Sequence, residues 1–369
     1  MDKIEKITKA EAIILLMTII ANNIIFNISA IILNSAGTGA WLNIIYLSII
    51  SIIFIVIVTI LFKSFNNADI IDVSEYLGGK FLKFITAILY IIFFVIFSSL
   101  ALRYFSNSLQ LIYFNYTPLI ILMLLFLIPV IIANHAGLKA IAGVTKIFFP
   151  FTFLGVVILM FVASKDFVWQ HLFPIFGFGI DSVFFSGINN LFAFNVIAYI
   201  FLLKPLLKQE KDFKTISIVS VIICGIYILM SIVSLLMSFP FIIETDEMFA
   251  VYLLTRIVSF GEFLQRVDAV FILLWILVFL SFLSFNFYCI LKILKKILKF
   301  ENVTELHYSL ALIILGIALS FKDIITVKFI LRNYFRIYSV ILIFAISFII
   351  LLFAYFKKKL IHGKEIMKK

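Results

Sequence analysis

Two groups of amide side chains interrupt an otherwise apolar chain. Asn22, Asn23 and Asn27 fall near the middle of the first apolar run, between Thr18 and Ser29, and Asn23 and Asn27 lie one helical turn apart on a shared face. The second group, Ser186, Gly187, Asn189, Asn190 and Asn195, follows Gly177, Phe178 and Gly179 at the opening of the sixth run. Amides and hydroxyls stay uncharged at neutral pH yet offer donors and acceptors. They suit recognition of a neutral or zwitterionic solute better than capture of a cation. At membrane depth such groups cost free energy unless partnered, so clusters mark either helix contacts or a water-filled site. For any single Asn, a hydrogen bond to a neighbouring helix is as good an explanation as a ligand. Lesser candidates are Arg103, Tyr104, Asn107 and Gln110 in the third run, and Ser281, Ser284, Asn286 and Tyr288 in the eighth. Arg103 is expected to snorkel to the outer interface, with carboxylate binding as the alternative. Trp275 is expected to pack.

Bond-making chemistry finds no support. None of the histidines (His135, His171, His307, His362) has a Cys or a second His at ligand spacing, and no Gly-rich loop runs into Gly-Lys-Ser/Thr. No catalytic or metal-ligating residue and no cofactor is therefore assigned, and an enzyme is not expected. Cys224 and Cys289 sit inside or at the end of apolar runs and predict neither a disulfide framework nor a metal site. No Asp or Glu lies deep in a run; Glu11 marks the edge of the first. A proton relay through an intramembrane carboxylate is thus disfavoured, while sodium held by backbone carbonyls stays open.

The elements that position these residues follow from composition. The 369 residues are 64% hydrophobic and 13% charged, with mean hydropathy +1.24. That excludes a soluble protein. The net charge of +11 resides in short loops and gives no nucleic-acid signal. Ten runs of spanning length appear, at about 10–33, 41–62, 81–112, 117–134, 144–164, 183–203, 216–239, 267–290, 306–321 and 335–356. The ninth is the weakest. The first is too long for a signal-peptide core and is expected to remain as a membrane helix. Lysines gather at the N-terminus, in alternate loops and in the C-terminal tail, whereas Lys165, Arg256, Arg266, Lys322, Lys328, Arg332 and Arg336 lie on the opposite side. Both termini are therefore expected in the cytoplasm. Lys292–Lys299 reads either as an interfacial helix or as a continuation of the eighth span, and Glu244–Arg266 as a surface helix. The whole chain, 1–369, forms one polytopic membrane domain on this reading. If ten spans divide into repeats of five (about 10–164 and 183–356), the interrupted first and sixth runs correspond, which is the pointer to an inverted-repeat transporter with its site near the midplane.

Several stretches, in order, resemble one family. They are Ala36-Gly37-Thr38-Gly39-Ala40-Trp41-Leu42, Thr117-Pro118, Gly137-Leu138 with Ala142 and Pro150, Leu172-Phe173-Pro174 followed by Gly177 and Gly179, and Gly261 to Asp268 continuing to Trp275. Together they resemble the permease-like B subunit of the spore nutrient germinant receptor, in the amino acid, polyamine and organocation transporter superfamily, over about residues 8–356. Where the family commonly has Gly in the middle of the first span, this chain has Asn22 and Asn23. The resemblance implies an all-α, LeuT-like fold of ten helices in a five-plus-five inverted repeat, with helices 1 and 6 unwound. It implies sensing of an amino acid or similar small nutrient in the inner membrane of a dormant spore, beside an A subunit and a lipoprotein C subunit. The ligand-binding residues expected are Asn22, Asn23, Asn27, Tyr104, Asn107, Ser186, Gly187, Asn189, Asn190 and Ser284. An active secondary amino-acid transporter, or a water or ion channel opened during germination, are the alternatives.

Overall fold

A computed structural model describes residues 5–25, 28–239, 267–298 and 304–366. Glu244–Arg266, Asn27 and most of the Gly261–Asp268 stretch lie outside the described residues. Within them the chain is helical because apolar backbone can satisfy its hydrogen bonds in lipid only internally. The helices are α1 (Lys9–Ile25), α2 (Ile28–Ala36), α3 (Ala40–Phe62), α4 (Ile70–Ile112), α5 (Leu119–Ala136), α6 (Leu138–Ala163), α7 (Ile180–Phe184), α8 (Val196–Leu203), α9 (Phe213–Ser238), α10 (Val267–Leu298), α11 (Thr304–Ser320), α12 (Ile324–Ile330), α13 (Arg336–Val340) and α14 (Ser347–Ile366). A 3₁₀ stretch, Ser186–Phe194, lies between α7 and α8, and π-helical stretches Leu331–Phe335 and Ile341–Ile346 flank α13.

By length and composition seven described helices can cross a membrane, or eight if the bent pair Ile180–Phe194 and Val196–Leu206 is one span. The expected ten differ from this for local reasons. The first run is described as α1 and α2 on either side of residues 26–27, which lie outside the described residues, the sixth bends by 49° at Asn195, and the ninth provides only the 17 residues of α11. The second, fourth and seventh runs fall within a few residues of the expected bounds, but three others are longer: α4 starts at Ile70, the tenth run is helical from Ile324 to Ile366, and α10 continues through Lys292 and Lys296 to Leu298, so this segment extends the eighth run.

Helix starts follow their capping chemistry. Glu11 accepts from the Thr8 amide at 2.7 Å and the Thr8 hydroxyl accepts from the Glu11 amide, a reciprocal box ahead of α1. Asp69 and Asp72 form a second box at the head of α4. Eight residues later α4 is broken at Gly78 and Gly79, where φ +70° at Gly79 requires a residue without Cβ.

Both described chain ends lie at one end of the bundle, called here the terminal end. Ile7 exchanges backbone hydrogen bonds with Leu206 and Lys208, Lys204 donates to the carbonyls of Phe62 and Phe65, and Lys358 donates to that of Ser64. At the distal end two small-residue turns pack backbone on backbone. A Cβ on Gly177, whose φ is +53°, would meet the Ala36 carbonyl oxygen at 2.0 Å, and one on Gly39 would meet the Phe176 backbone at 2.8 Å. The Thr38 hydroxyl donates to the Pro174 carbonyl at 2.6 Å across the same contact. The Ala36–Gly39 and Gly177–Gly179 stretches, far apart in sequence, are thus two halves of one joint. In the interior α1 packs against α6, α9 and α10, and α4 against α10, α11 and α14.

Candidate ligand-binding site

The C-terminal part of α1 and the bend in the sixth run lie side by side. Asn23, near the end of α1, donates to the Ala193 carbonyl at 2.9 Å and to Asn195 Oδ1 at 3.3 Å; Asn195 Nδ2 donates back to Asn23 Oδ1 at 3.0 Å. This exchange uses most of the bonding capacity of both side chains. It fixes α1 to the bend of the sixth run.

Asn22, one residue earlier, is fully buried, and neither its Nδ2 nor its Oδ1 has a hydrogen-bond partner among the described residues. An amide in that state costs about 1–3 kcal/mol per unsatisfied group. The same helix therefore carries one amide that holds the fold and one with free donors and acceptor.

A second polar junction lies nearer the distal end. Asn190, fully buried in the 3₁₀ stretch, donates to Ser35 Oγ on α2 and to Asn43 Oδ1 on α3, each at 2.9 Å. Asn43 donates in turn to the carbonyls of Val183 (2.6 Å) and Gly187 (3.3 Å). Arg336, opening α13, donates to Asn190 Oδ1 at 3.3 Å. Parts of the first, second, sixth and tenth runs meet here.

The other expected site residues divide. On α4, Tyr104 is buried and Asn107 has a buried Oδ1 without a partner, as does the neighbouring Ser106 Oγ. Gly187 is a packing position, since a Cβ there would lie 2.3 Å from the Ser182 carbonyl oxygen and 2.5 Å from Asn43 Nδ2. Asn189 is half-buried, and Ser186 is exposed and bonds back to the Asp181 carbonyl. Ser284 belongs to another contact: its carbonyl accepts from Asn134 Nδ2 at 3.1 Å, tying α5 to α10. Asn286 is satisfied by the Phe94 carbonyl, the Ser98 hydroxyl and a 2.8 Å hydrogen bond from Tyr199. Trp275 packs on Phe271, with ring centroids 4.3 Å apart. Arg103 reaches the distal end, where it donates to the Lys322 carbonyl at 2.9 Å close to Asp323. Hydrogen bonds from Thr326 hold the Asp323 carboxyl below its ordinary range.

Asn43, Ser35 and Arg336 were not foreseen as site residues. Asn43 is the lone amide of the second run, which a pass for clusters overlooks. Arg336 stands at the border of the tenth run, where it counts as a loop charge until the helix is traced through it.

With this geometry in hand, the comparison with known proteins is decisive at the level of family. Residues 6–326 match the spore germination protein family of spore permeases. The chain belongs to that family. Spore germination protein KB of Bacillus subtilis (strain 168) is 22% identical over 289 residues, covering 77% of this chain and 78% of that protein. Among solved structures, a Na+-coupled sialic acid symporter, described in a substrate-bound outward-open state, aligns with a TM-score of 0.57 at 12% identity, over 91% of this chain and 73% of the symporter. That likeness shows a transporter fold. This spore permease is accordingly a multi-pass, germination-related membrane protein whose family and fold resemble transporters and receptors rather than enzymes. The joint of Gly39 with Gly177 gives a physical reason for two of the small-residue stretches on which the resemblance was first drawn.

Proposed function

We propose that this spore permease is the nutrient-sensing subunit of a germinant receptor and binds an amino acid between α1, α2 and the bent sixth segment. Asn22 carries this reading. It is an amide buried to 0% exposure with no partner among the described residues, beside an amide pair that ties α1 to the bend of the sixth run. An amino acid's ammonium and carboxylate, offered to Asn22 and to backbone groups freed at the breaks, would satisfy both sides at once. On this proposal the chain crosses the inner spore membrane ten times in two repeats of five, with both termini in the cytoplasm. Its partners are an A subunit and a lipoprotein C subunit. Asn27, Tyr104, Asn107, Asn189 and Asn190 complete the site. Ser186, Gly187 and Ser284 border it, and Asn23 shapes it from the α1 side.

The transporter fold favours a second reading, in which the protein still moves its amino acid across the membrane. Liposomes holding the purified protein, given labelled neutral amino acids under a sodium or proton gradient, separate the two. Saturable binding without accumulation is expected for a sensor that shifts between states; accumulation beyond one molecule per protein would establish transport. Absence of binding, alone or with the A and C subunits, would remove the proposal.

A further inference from the structure

The two arginines near the distal end have different surroundings. Arg103 has the Lys322 carbonyl at 2.9 Å and the carboxylate of Asp323 close by. Among the described residues Arg336 has neither. Its one described hydrogen bond is the 3.3 Å contact to Asn190 Oδ1, its Nε, like that of Arg103, is buried without a described partner, and the neighbouring charge that acts on it is another cation, Arg332.

Arg336 is also well along its helix. It lies twelve residues beyond Ile324 on a continuous helical path that runs to Ile366, about 18 Å from the helix start at 1.5 Å per residue. A guanidinium with a buried, unpartnered nitrogen is costly unless an anion or water compensates it. Arg332 and Asn333, one turn nearer the distal end, are exposed, as is Ser186 on the 3₁₀ stretch that α13 packs against. The π-helical turns on either side of α13 widen the helix there, a distortion frequent at functional sites.

We propose that Arg336 is a carboxylate-binding residue, which docks the ligand's carboxylate against Asn190 at the junction of the first, second, sixth and tenth runs. This rests on the amino-acid reading above and assigns the carboxylate end of that ligand. A guanidinium presents a planar fork of donors that matches a carboxylate. Because Asn190 also holds Ser35 and Asn43, a carboxylate taken up by Arg336 would act directly on the contacts between α2, α3 and the bent segment.

The test compares each labelled neutral amino acid that binds with its carboxamide, in wild type, Arg336→Gln and Arg336→Lys, each verified as monodisperse in detergent. Wild type is expected to prefer the carboxylate by at least tenfold. Arg336→Gln should lose that preference by weakening the amino acid and sparing the carboxamide, and Arg336→Lys should restore part of it. Binding in wild type with an unchanged preference in Arg336→Gln would overturn the inference and leave the amino-acid reading standing. If no amino acid binds, that reading fails, and thermal stabilisation by acetate and pyruvate decides the inference alone. Stabilisation lost in Arg336→Gln supports it; none in wild type overturns it.

Discussion

The Asp69 cluster at the terminal end and the polar groups of α1 and α4 farther along the bundle treat burial in opposite ways. At the terminal end Asp69 is fully buried, but Lys296 reaches it at 2.6 Å, Lys292 at 3.3 Å, and the backbone amides of Ile71 and Asp72 donate to it. Lys296 also pairs with Asp72 at 2.7 Å. Burial alone would raise the Asp69 carboxyl; the lysines and amides outweigh it and hold it at about 2. Toward the middle and distal end, Asn22 is wholly unpaired, Asn107 and Ser106 each have an unpaired oxygen, and Arg336 has one long hydrogen bond. Satisfied polar groups lock helices to one another. Those left with bonding capacity are where a solute can gain by entering.

The largest effect should come from breaking the satisfied end. Asp69→Asn strands Lys292 and Lys296 and is expected to cost about 2–4 kcal/mol, somewhat below the loss for a fully buried pair because Lys296 keeps 23% side-chain exposure. Thermal unfolding in detergent measures it, and a drop equal to that of a surface Asp→Asn control would contradict the assignment.

A pH titration sharpens the same point. The carboxyl of Asp69 is lower in the folded protein than its ordinary 3.8, so its contribution is present above that pH and is lost as pH falls from 3.8 toward 2. About 2 kcal/mol of stability should disappear over this window in wild type and not in Asp69→Asn. Parallel acid limbs in the two proteins would sink the account.

The neighbouring amides of α1 then test the contrast within a single helical turn. Asn23→Leu removes the partner of the Asn195 amide and leaves the Ala193 carbonyl only the Cys224 thiol, and should cost about 1–2 kcal/mol. Asn22→Leu removes an amide with no partner, so stability should be unchanged or slightly raised while amino-acid binding is lost. The reverse pattern, with Asn22→Leu the more destabilising, would show that the two roles are exchanged.

The smallest effect is expected at Trp275. Trp275→Phe keeps an aromatic ring against Phe271 and should cost about 1 kcal/mol, with binding affinity unchanged. A binding loss matching that of Asn22→Leu would mean that packing had been mistaken for recognition.

The sequence by itself determined the membrane class, the helix runs and the clusters worth inspecting. These depend on local quantities: run length against bilayer thickness, hydropathy, and the rarity of amides in lipid. Tertiary structure alone decided which amide does what. Asn22 and Asn23 are indistinguishable as letters, and only the approach of Asn195 from the bend in the sixth run satisfies one and leaves the other unpaired. Ser284 and Gly187 lie among the same polar stretches as Asn190, yet one contributes a carbonyl to Asn134 and the other the space for close packing. Arg336 counts as a loop charge in the sequence, and only the continuous helix through the π turns brings it beside Asn190. Hydrogen-bond satisfaction belongs to pairs of groups, and most of these pairs join residues more than a hundred positions apart.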